Sequence, residues 1–312
     1  YRVAALKKEW DVVFLFRELL PIGPALLERL LVRKGIPVVY DFDAAIFMPD
    51  VSDANSAFRW LKSTRKTGTI CRLSTHVTVG NEYLKAHVLN FTPHVSVIPT
   101  TIDTDRYTPK PSVDIQGKPA IGWSGSFSTL KHLGTVVPAL RILKRSIEFR
   151  LKVIGSPDCA FEGLEVESKA WNAHAEVDDL KTFDIGIMPL PDDPWAKGKC
   201  GLKALQYMAV GVPTVASPVG VNATIIQDGK NGFLAASEQE WVEKLSALLS
   251  NRALREQFAE EGRRTVEERF SAKVQAPRLL EILERVSGKP PHRLVPSDEM
   301  ALGVVGIGEN AG

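Results

Sequence analysis

Several residues of this 312-residue chain have the chemistry to hold a phosphate. Gly198-Lys-Cys-Gly201 follows a Pro/Asp-rich loop and runs into Leu202-Lys-Ala-Leu-Gln-Tyr-Met-Ala209. A glycine turn feeding an apolar-periodic stretch predicts a helix N-terminus with free backbone N–H groups and the positive end of the helix dipole. Lys199 and Lys203 add full charges. The alternative is a packed helix with two solvated lysines. A second turn, Gly122-Trp-Ser-Gly-Ser126, has Lys131 one helical turn beyond it. Gly125 permits close backbone approach, Ser126 offers a hydroxyl and Lys131 a charge; a plain solvated loop is the other reading. Asp192 and Asp193 suit sugar hydroxyls, or a wet turn. In the first half, Asp41 and Asp43 stand two apart at the end of an apolar run, a spacing that puts both on one side of a strand. Either suits a general base. Arg17-Glu18 closes an earlier run in the same way.

The elements that position these residues alternate. Asp11–Phe16, Ile36–Tyr40, His76–Val79 and His94–Ile98 read as buried strands. Pro21–Lys34, Ala54 to about Arg72, and Asn81–Leu89, with Asn81 as its cap, read as the helices between them. Continuous apolar strands with intervening helices predict a parallel sheet covered on both faces. The second half repeats the pattern: strands at Ala120–Trp123, Phe149–Ile154, Phe183–Met188, Pro213–Ala216 and Asn231–Leu234. The helices there are Leu130–Lys144 (interrupted by Pro138), Val177–Lys181, the stretch after Gly201 with Leu202, Leu205, Met208 and Ala209 inward, Glu238–Leu249, Ala253–Arg269 and Ala272–Val286. The expected division is residues 1–108, a linker at 109–118 within a proline-rich stretch, 119–270, a C-terminal helix at 271–286 and a disordered tail at 287–312. The fold class is α/β, with two facing Rossmann-like sheets. Ligands of open α/β sheets lie beyond the carboxyl ends of the strands, where all the residues named above fall, so a cleft between the two units is the expected site.

Composition narrows the partners. A net charge of +2 gives no nucleic-acid footprint. Three scattered cysteines fit a reducing, cytoplasmic setting and have no zinc spacing. No run of about 18 apolar residues predicts a membrane span, and no signal peptide is visible. P-loop, nucleophile-elbow and Gly-x-Gly-x-x-Gly patterns are absent. The chain starts at Tyr1 close to its first strand, so earlier βα units are expected to be missing.

Taken together, Gly122–Ser126, Phe183-Asp-Ile-Gly-Ile-Met-Pro-Leu190, Tyr207-Met-Ala-Val-Gly-Val-Pro-Thr-Val-Ala-Ser217, Asp228-Gly-Lys-Asn-Gly-Phe-Leu234 and the Arg263–Ser271 close resemble the donor domain of the family 4-type, group 1 glycosyltransferases. Arg17-Glu18, Tyr40–Asp43, Gly80–Leu84 and Val97–Asp103 resemble the acceptor domain of a subgroup. The resemblance implies the GT-B fold, a retaining hexosyltransferase, a nucleotide diphosphate sugar as donor substrate with no further cofactor, no metal, and a glycan or lipid-linked acceptor. It also implies a cytoplasmic enzyme, with peripheral contact at the inner membrane face as an option. The family's Glu-x7-Glu pair falls on Gly198 and Gln206. Gln206 still suits a ribose hydroxyl, and Asp193 or Asp192 would replace the lost carboxylate at Gly198. The family's Arg and Lys for the diphosphate fall on Ser126 and Lys131, which leaves Lys199 to supply the second charge. The implied set is Asp41, Asp43, Lys131 and Lys199 for catalysis, and Gly125, Ser126, Asp193, Gly198, Cys200, Gly201 and Gln206 for the donor. An epimerase of the same fold and an inactive sugar-nucleotide-binding scaffold are the alternatives.

Overall fold

The computed structural model describes residues 10–20, 23–48 and 64–288. The first unit holds four strands, β1 (Val13–Phe16), β2 (Val38–Phe42), β3 (His76–Val79) and β4 (Val95–Val97), all parallel and in that order. Helices α1 (Leu26–Arg33), α2 (Thr64–Leu73) and α3 (Glu82–Val88) connect them. Val39, Tyr40, Phe42, Val77 and Val79 are fully buried, which is why β2 and β3 read as mainly apolar runs, with Asp41 in the first and His76 and Thr78 in the second. Among the described residues β1 is one of the two edge strands, and it exposes Phe14 and Phe16. Asn81 caps α3 by accepting from the Leu84 N–H at 2.9 Å. The helix expected from Ala54 lies in part outside the described residues, as does the tail from 289 onward.

The second unit is a six-stranded parallel sheet in the order β10-β9-β8-β5-β6-β7, from β5 (Ala120–Ser124), β6 (Arg150–Ile154), β7 (Val166–Lys169), β8 (Ile185–Met188), β9 (Thr214–Ala216) and β10 (Phe233–Leu234). Its helices are α4 (Leu130–Gly134), α5 (Val137–Leu143), α6 (Glu176–Lys181), α7 (Pro194–Lys197), α8 (Leu202–Ala209), α9 (Asn222–Ile225), α10 (Glu238–Ser250) and α11 (Arg252–Thr265). The single helix expected over Leu130–Lys144 is two: Pro138 sits in the first turn of α5, where its missing N–H costs nothing. The Pro/Asp loop contains a short helix, α7, because Asp193 caps it and Pro194 opens it. β7 went unread, since its alternating Val166-Glu-Ser-Lys169 lacks an apolar run. Leu202, expected on the inward face of α8, is 47% exposed; Ala204, Gln206 and Tyr207 are buried instead, because α8 is enclosed by β8, β9 and α11.

The connecting residues 99–119 are tied along the second unit. Ile102 donates its N–H to the Phe270 carbonyl at 2.8 Å, and Lys110 Nζ reaches the Phe183 carbonyl at 2.8 Å. Arg263 clamps the same segment, donating to the carbonyls of Tyr107, Thr104 (2.9 Å) and Ala209 (2.8 Å). Arg263→Ala is expected to cost about 2 kcal/mol, since three carbonyls lose a charged donor; urea unfolding measures it, and a change under about 0.5 kcal/mol would refute the clamp. The last helix, α12 (Ala272–Ser287), returns to the first unit, where Arg278 donates to the Val97 carbonyl at 3.3 Å. No helix among the described residues is long and apolar enough to cross a membrane.

Candidate active site

Both sheets direct their carboxyl ends toward one seam, and residues 197–201 bridge it. A Cβ on Gly198 would lie 2.6 Å from the Ala45 Cβ in the first unit, so no side chain fits at this point. Asn81 Nδ2 donates to the carbonyls of Lys199 (3.0 Å) and Lys197 (3.3 Å). The Cys200 thiol donates to the Asp43 carbonyl at 3.1 Å, and burial pushes its pKa up to about 12. Its side chain is therefore engaged by the first unit. Gly201 then begins α8 with φ +76°, a left-handed geometry, and a Cβ there would strike Ile225 Cδ1 at 2.3 Å. No side chain caps α8, so the N–H groups of its first turn remain directed into the seam.

Opposite lies the turn after β5. Gly125 donates to the Ile154 carbonyl at 2.8 Å, and Ser126 and Ser128 share a hydrogen bond at 2.9 Å. Lys131 is exposed in the first turn of α4. Lys203 reaches from α8 to stand under this turn, with its Nζ 4.2 Å from the Trp123 ring centroid. Three amines converge here. Burial first, then Lys199, Lys203 and Lys131, lower the neighbouring His132 to about 4, so this imidazole stays neutral.

Gln206, on the next turn of α8, is buried with its Nε2 donating to Tyr107 Oη (3.0 Å) and Glu176 Oε1 (3.2 Å). Tyr107 donates to Glu176 Oε2 at 2.5 Å, and Trp171 Nε1 to Glu176 Oε1 at 2.9 Å. Glu176 is thus a shared acceptor at the start of α6. The Trp171 indole is 53% exposed at the carboxyl end of the sheet.

On the first unit, Asp41 lies inside β2 rather than beyond it, and accepts from Thr78 Oγ1 at 2.6 Å. Burial raises its carboxyl to about 6, against the Thr78 bond, with Asp43 adding repulsion. Asp43 pairs with Arg17 at 3.0 Å. Arg17 itself has φ +56°, an unfavourable backbone for a residue with a Cβ, held at the end of β1. A cavity of about 660 Å³ opens beside the bridge, lined in part by Gly80, Asn81, Tyr83, Lys197, Gly220 and Arg269.

The structure therefore places Gly125, Ser126, Lys131, Lys199, Gly201 and Gln206 on the second unit around α8 and the β5 turn, and Asp41 and Asp43 on the first unit, where the Asp43 carbonyl meets Cys200. It does not free a carboxylate to stand in at Gly198. Asp193 Oδ1 is engaged by the Ala196 N–H at 2.7 Å, and Asp192 pairs with Lys197 at 2.9 Å. Glu176, Tyr107 and Trp171 were not foreseen; no spacing links them, although an acid at the start of a helix was visible. Lys203 was noted only as a flanking charge.

Comparisons with known proteins bear on the family and the fold. Residues 118–251 match the family described as glycosyl transferases group 1. A D-inositol 3-phosphate glycosyltransferase of Xylanimonas cellulosilytica is 25% identical over 229 residues, 64% of this chain and 53% of the relative. Spore coat protein SA of Bacillus subtilis is 32% identical over 83 residues, 26% of this chain and 22% of that protein. The chain spans about half the length of the curated glycosyltransferases it matches. Among solved structures, sucrose-phosphate synthase from Thermosynechococcus elongatus superposes with a TM-score of 0.71 at 14% identity, over 92% of this chain and 76% of that one. Anabaena HepE, solved with UDP and glucose, gives 0.68 at 15% identity, over 91% of this chain and 79% of its own. The fold is accordingly GT-B, as the resemblance implied.

Proposed function

We propose that this chain, whose residues 118–251 match the glycosyl transferases group 1 family, moves a sugar from a nucleoside diphosphate sugar to an acceptor hydroxyl with retention at the anomeric carbon. One observation carries this reading: the uncapped start of α8 faces the Gly125 turn with Lys131, Lys199 and Lys203 around it. Dipole, N–H groups and amines together suit a diphosphate. The bond from the anomeric carbon to the diphosphate oxygen breaks, and its electron pair leaves with the diphosphate. Preorganised charge stabilises that departure. The acceptor oxygen bonds to the same carbon, and its proton passes to a base. The donor is a substrate, so no separate cofactor enters this scheme. Its ribose would lie at Gln206 and Glu176, and the acceptor would approach from the Gly80–Tyr83 side. In HepE the bound species are UDP and glucose, and the same chemistry is what the cleft here suits.

Asp41 is the better base of the two, because a carboxyl raised to about 6 is ionised at neutral pH yet accepts a proton readily. Asp43 already has Arg17 as a partner. Below pH 6 the rate of transfer is expected to fall about tenfold per unit, and Asp41→Asn to remove that limb along with most of the activity. Stability moves the other way. A raised carboxyl is a penalty when charged, full above pH 6 and gone by about pH 4. Asp41→Asn is then stabilising by on the order of 2 kcal/mol at pH 7 and neutral at pH 4. Thermal melts at both values test this; equal melting temperatures at pH 7 would overturn the assignment. Titration with UDP, GDP and ADP tests the function itself. Binding of none would sink it. Donor turnover without acceptor would favour an epimerase.

A further inference from the structure

Lys203 is the amine of the cluster whose surroundings are least like water. Its Nζ stands over the Trp123 indole at 4.2 Å, and the nearest side-chain oxygen is Thr129 Oγ1 at 3.5 Å, a long contact. A Cβ on Gly125 would lie 2.5 Å from this Nζ, so the amine fills the space directly beneath the glycine turn. Trp123 is itself buried and leaves the ammonium no wet side there. Around it lie Lys199 from the bridge, Lys131 and His132 from α4, and Thr129 and the Gly125 backbone from the β5 turn. The nearby acid, Asp193, is engaged in capping α7, and Lys203 makes no ion pair among the described residues. Burial beside the Lys199 cation, with no ion pair to Lys203 itself among the described residues, makes this a place where a positive charge on Lys203 is costly until an anion arrives.

We propose that Lys203 meets the diphosphate from beneath the Gly125 turn and takes up a proton as it does so, making donor affinity proton-linked. The proposal rests on the diphosphate reading of the site and adds the identity and protonation of a residue to it. Burial, and then Lys199, pull its pKa down to about 7, in keeping with that role. An indole face alone would hold a permanently charged lysine well, but the crowd of amines acts against it. The proton comes from solvent, so charge and atoms balance: a neutral amine, a proton and a diphosphate become an ammonium–diphosphate pair. The ammonium then contributes to leaving-group stabilisation alongside Lys131.

Isothermal titration with UDP, GDP, ADP and inorganic pyrophosphate tests this between pH 6 and 9. At pH 8 the terminal phosphate of UDP, GDP or ADP, with a second pKa near 6, is already ionised, so uptake with these three reports on the protein, while inorganic pyrophosphate still titrates and is read for affinity only. For the probe that binds best, wild-type affinity is expected to fall up to tenfold per unit above pH 7. Heats at pH 8 should vary with buffer ionisation enthalpy by most of one proton. Lys203→Met should lose affinity at pH 7 about tenfold or more, and lose both the pH slope and the proton uptake. Lys203→Arg should keep affinity without uptake, because a guanidinium stays charged. A methionine over an indole is an easy fit, and unchanged melting of that variant confirms the fold. Lys203→Met with wild-type affinity and uptake would overturn the proposal while leaving the diphosphate site standing. Wild-type protein that binds none of the four probes would overturn both.

Discussion

Lys131→Ala is expected to lower glycosyl transfer by about two to three orders of magnitude while melting as the wild type does. The residue is exposed in the first turn of α4, so its removal leaves no buried hole. Its amine acts on the same point as those of Lys199 and Lys203, since all three depress His132. The diphosphate gains charge as the sugar departs, and loss of one preorganised partner at such a place costs roughly 3–4 kcal/mol of transition-state stabilisation. Ground-state affinity for the nucleoside diphosphate should fall less than the rate, because the charge is largest in the transition state. Lys131→Arg should recover much of the loss, whereas Lys199→Ala should be damaging in its own right. Single-turnover transfer, or donor hydrolysis if no acceptor is at hand, supplies the measurement. Unchanged rates in both alanine variants would remove the diphosphate from this end of the seam.

Glu176→Ala is expected to weaken nucleoside diphosphate binding about a hundredfold with inorganic pyrophosphate binding unaltered. The carboxylate accepts from Tyr107 at 2.5 Å, Trp171 at 2.9 Å and Gln206 at 3.2 Å, with Arg106 at 3.9 Å. Burial foremost, and its bond to Glu176, hold the Tyr107 hydroxyl protonated with a pKa of about 12, so it serves as a donor. Without Glu176, three donors lose their acceptor, and the amide of Gln206 is released to turn. A ribose needs those groups held in place, while a pyrophosphate reaches only the lysines and the start of α8. The ratio of the two affinities is therefore the readout. A variant that lost both equally would point to a general collapse of the site, and one that lost neither would separate Glu176 from the nucleoside.

Much of the scaffold was legible because local chemistry and burial agree along it. β2, β3 and β8 are mainly apolar and almost wholly buried since both faces are covered, and Asn81, Gly201 and Pro138 mark ends that backbone hydrogen bonding requires. Where a residue's role depends on a partner elsewhere, reading failed. Asp193 looked like a free carboxylate but caps α7, and Leu202 looked buried because its period is right, although the neighbours of α8 leave its side uncovered. β7 was hidden because one of its faces is wet.

The sequence by itself determined the alternation that builds two parallel sheets, the glycine-led helix start and the lysines beside it. These are local properties: hydrophobic period, backbone permissiveness and charge. The tertiary structure alone decided what surrounds the two positions where the resemblance puts the family's carboxylates. Gly198 has no room for a side chain because Ala45 of the other unit touches it, and Gln206 meets Glu176 and Tyr107, the latter 99 residues earlier in the chain. It also decided that Lys203 lies beneath the Gly125 turn over Trp123. Such contacts join segments far apart in the chain, and only the packing of helices and loops on and between the sheets sets their distances.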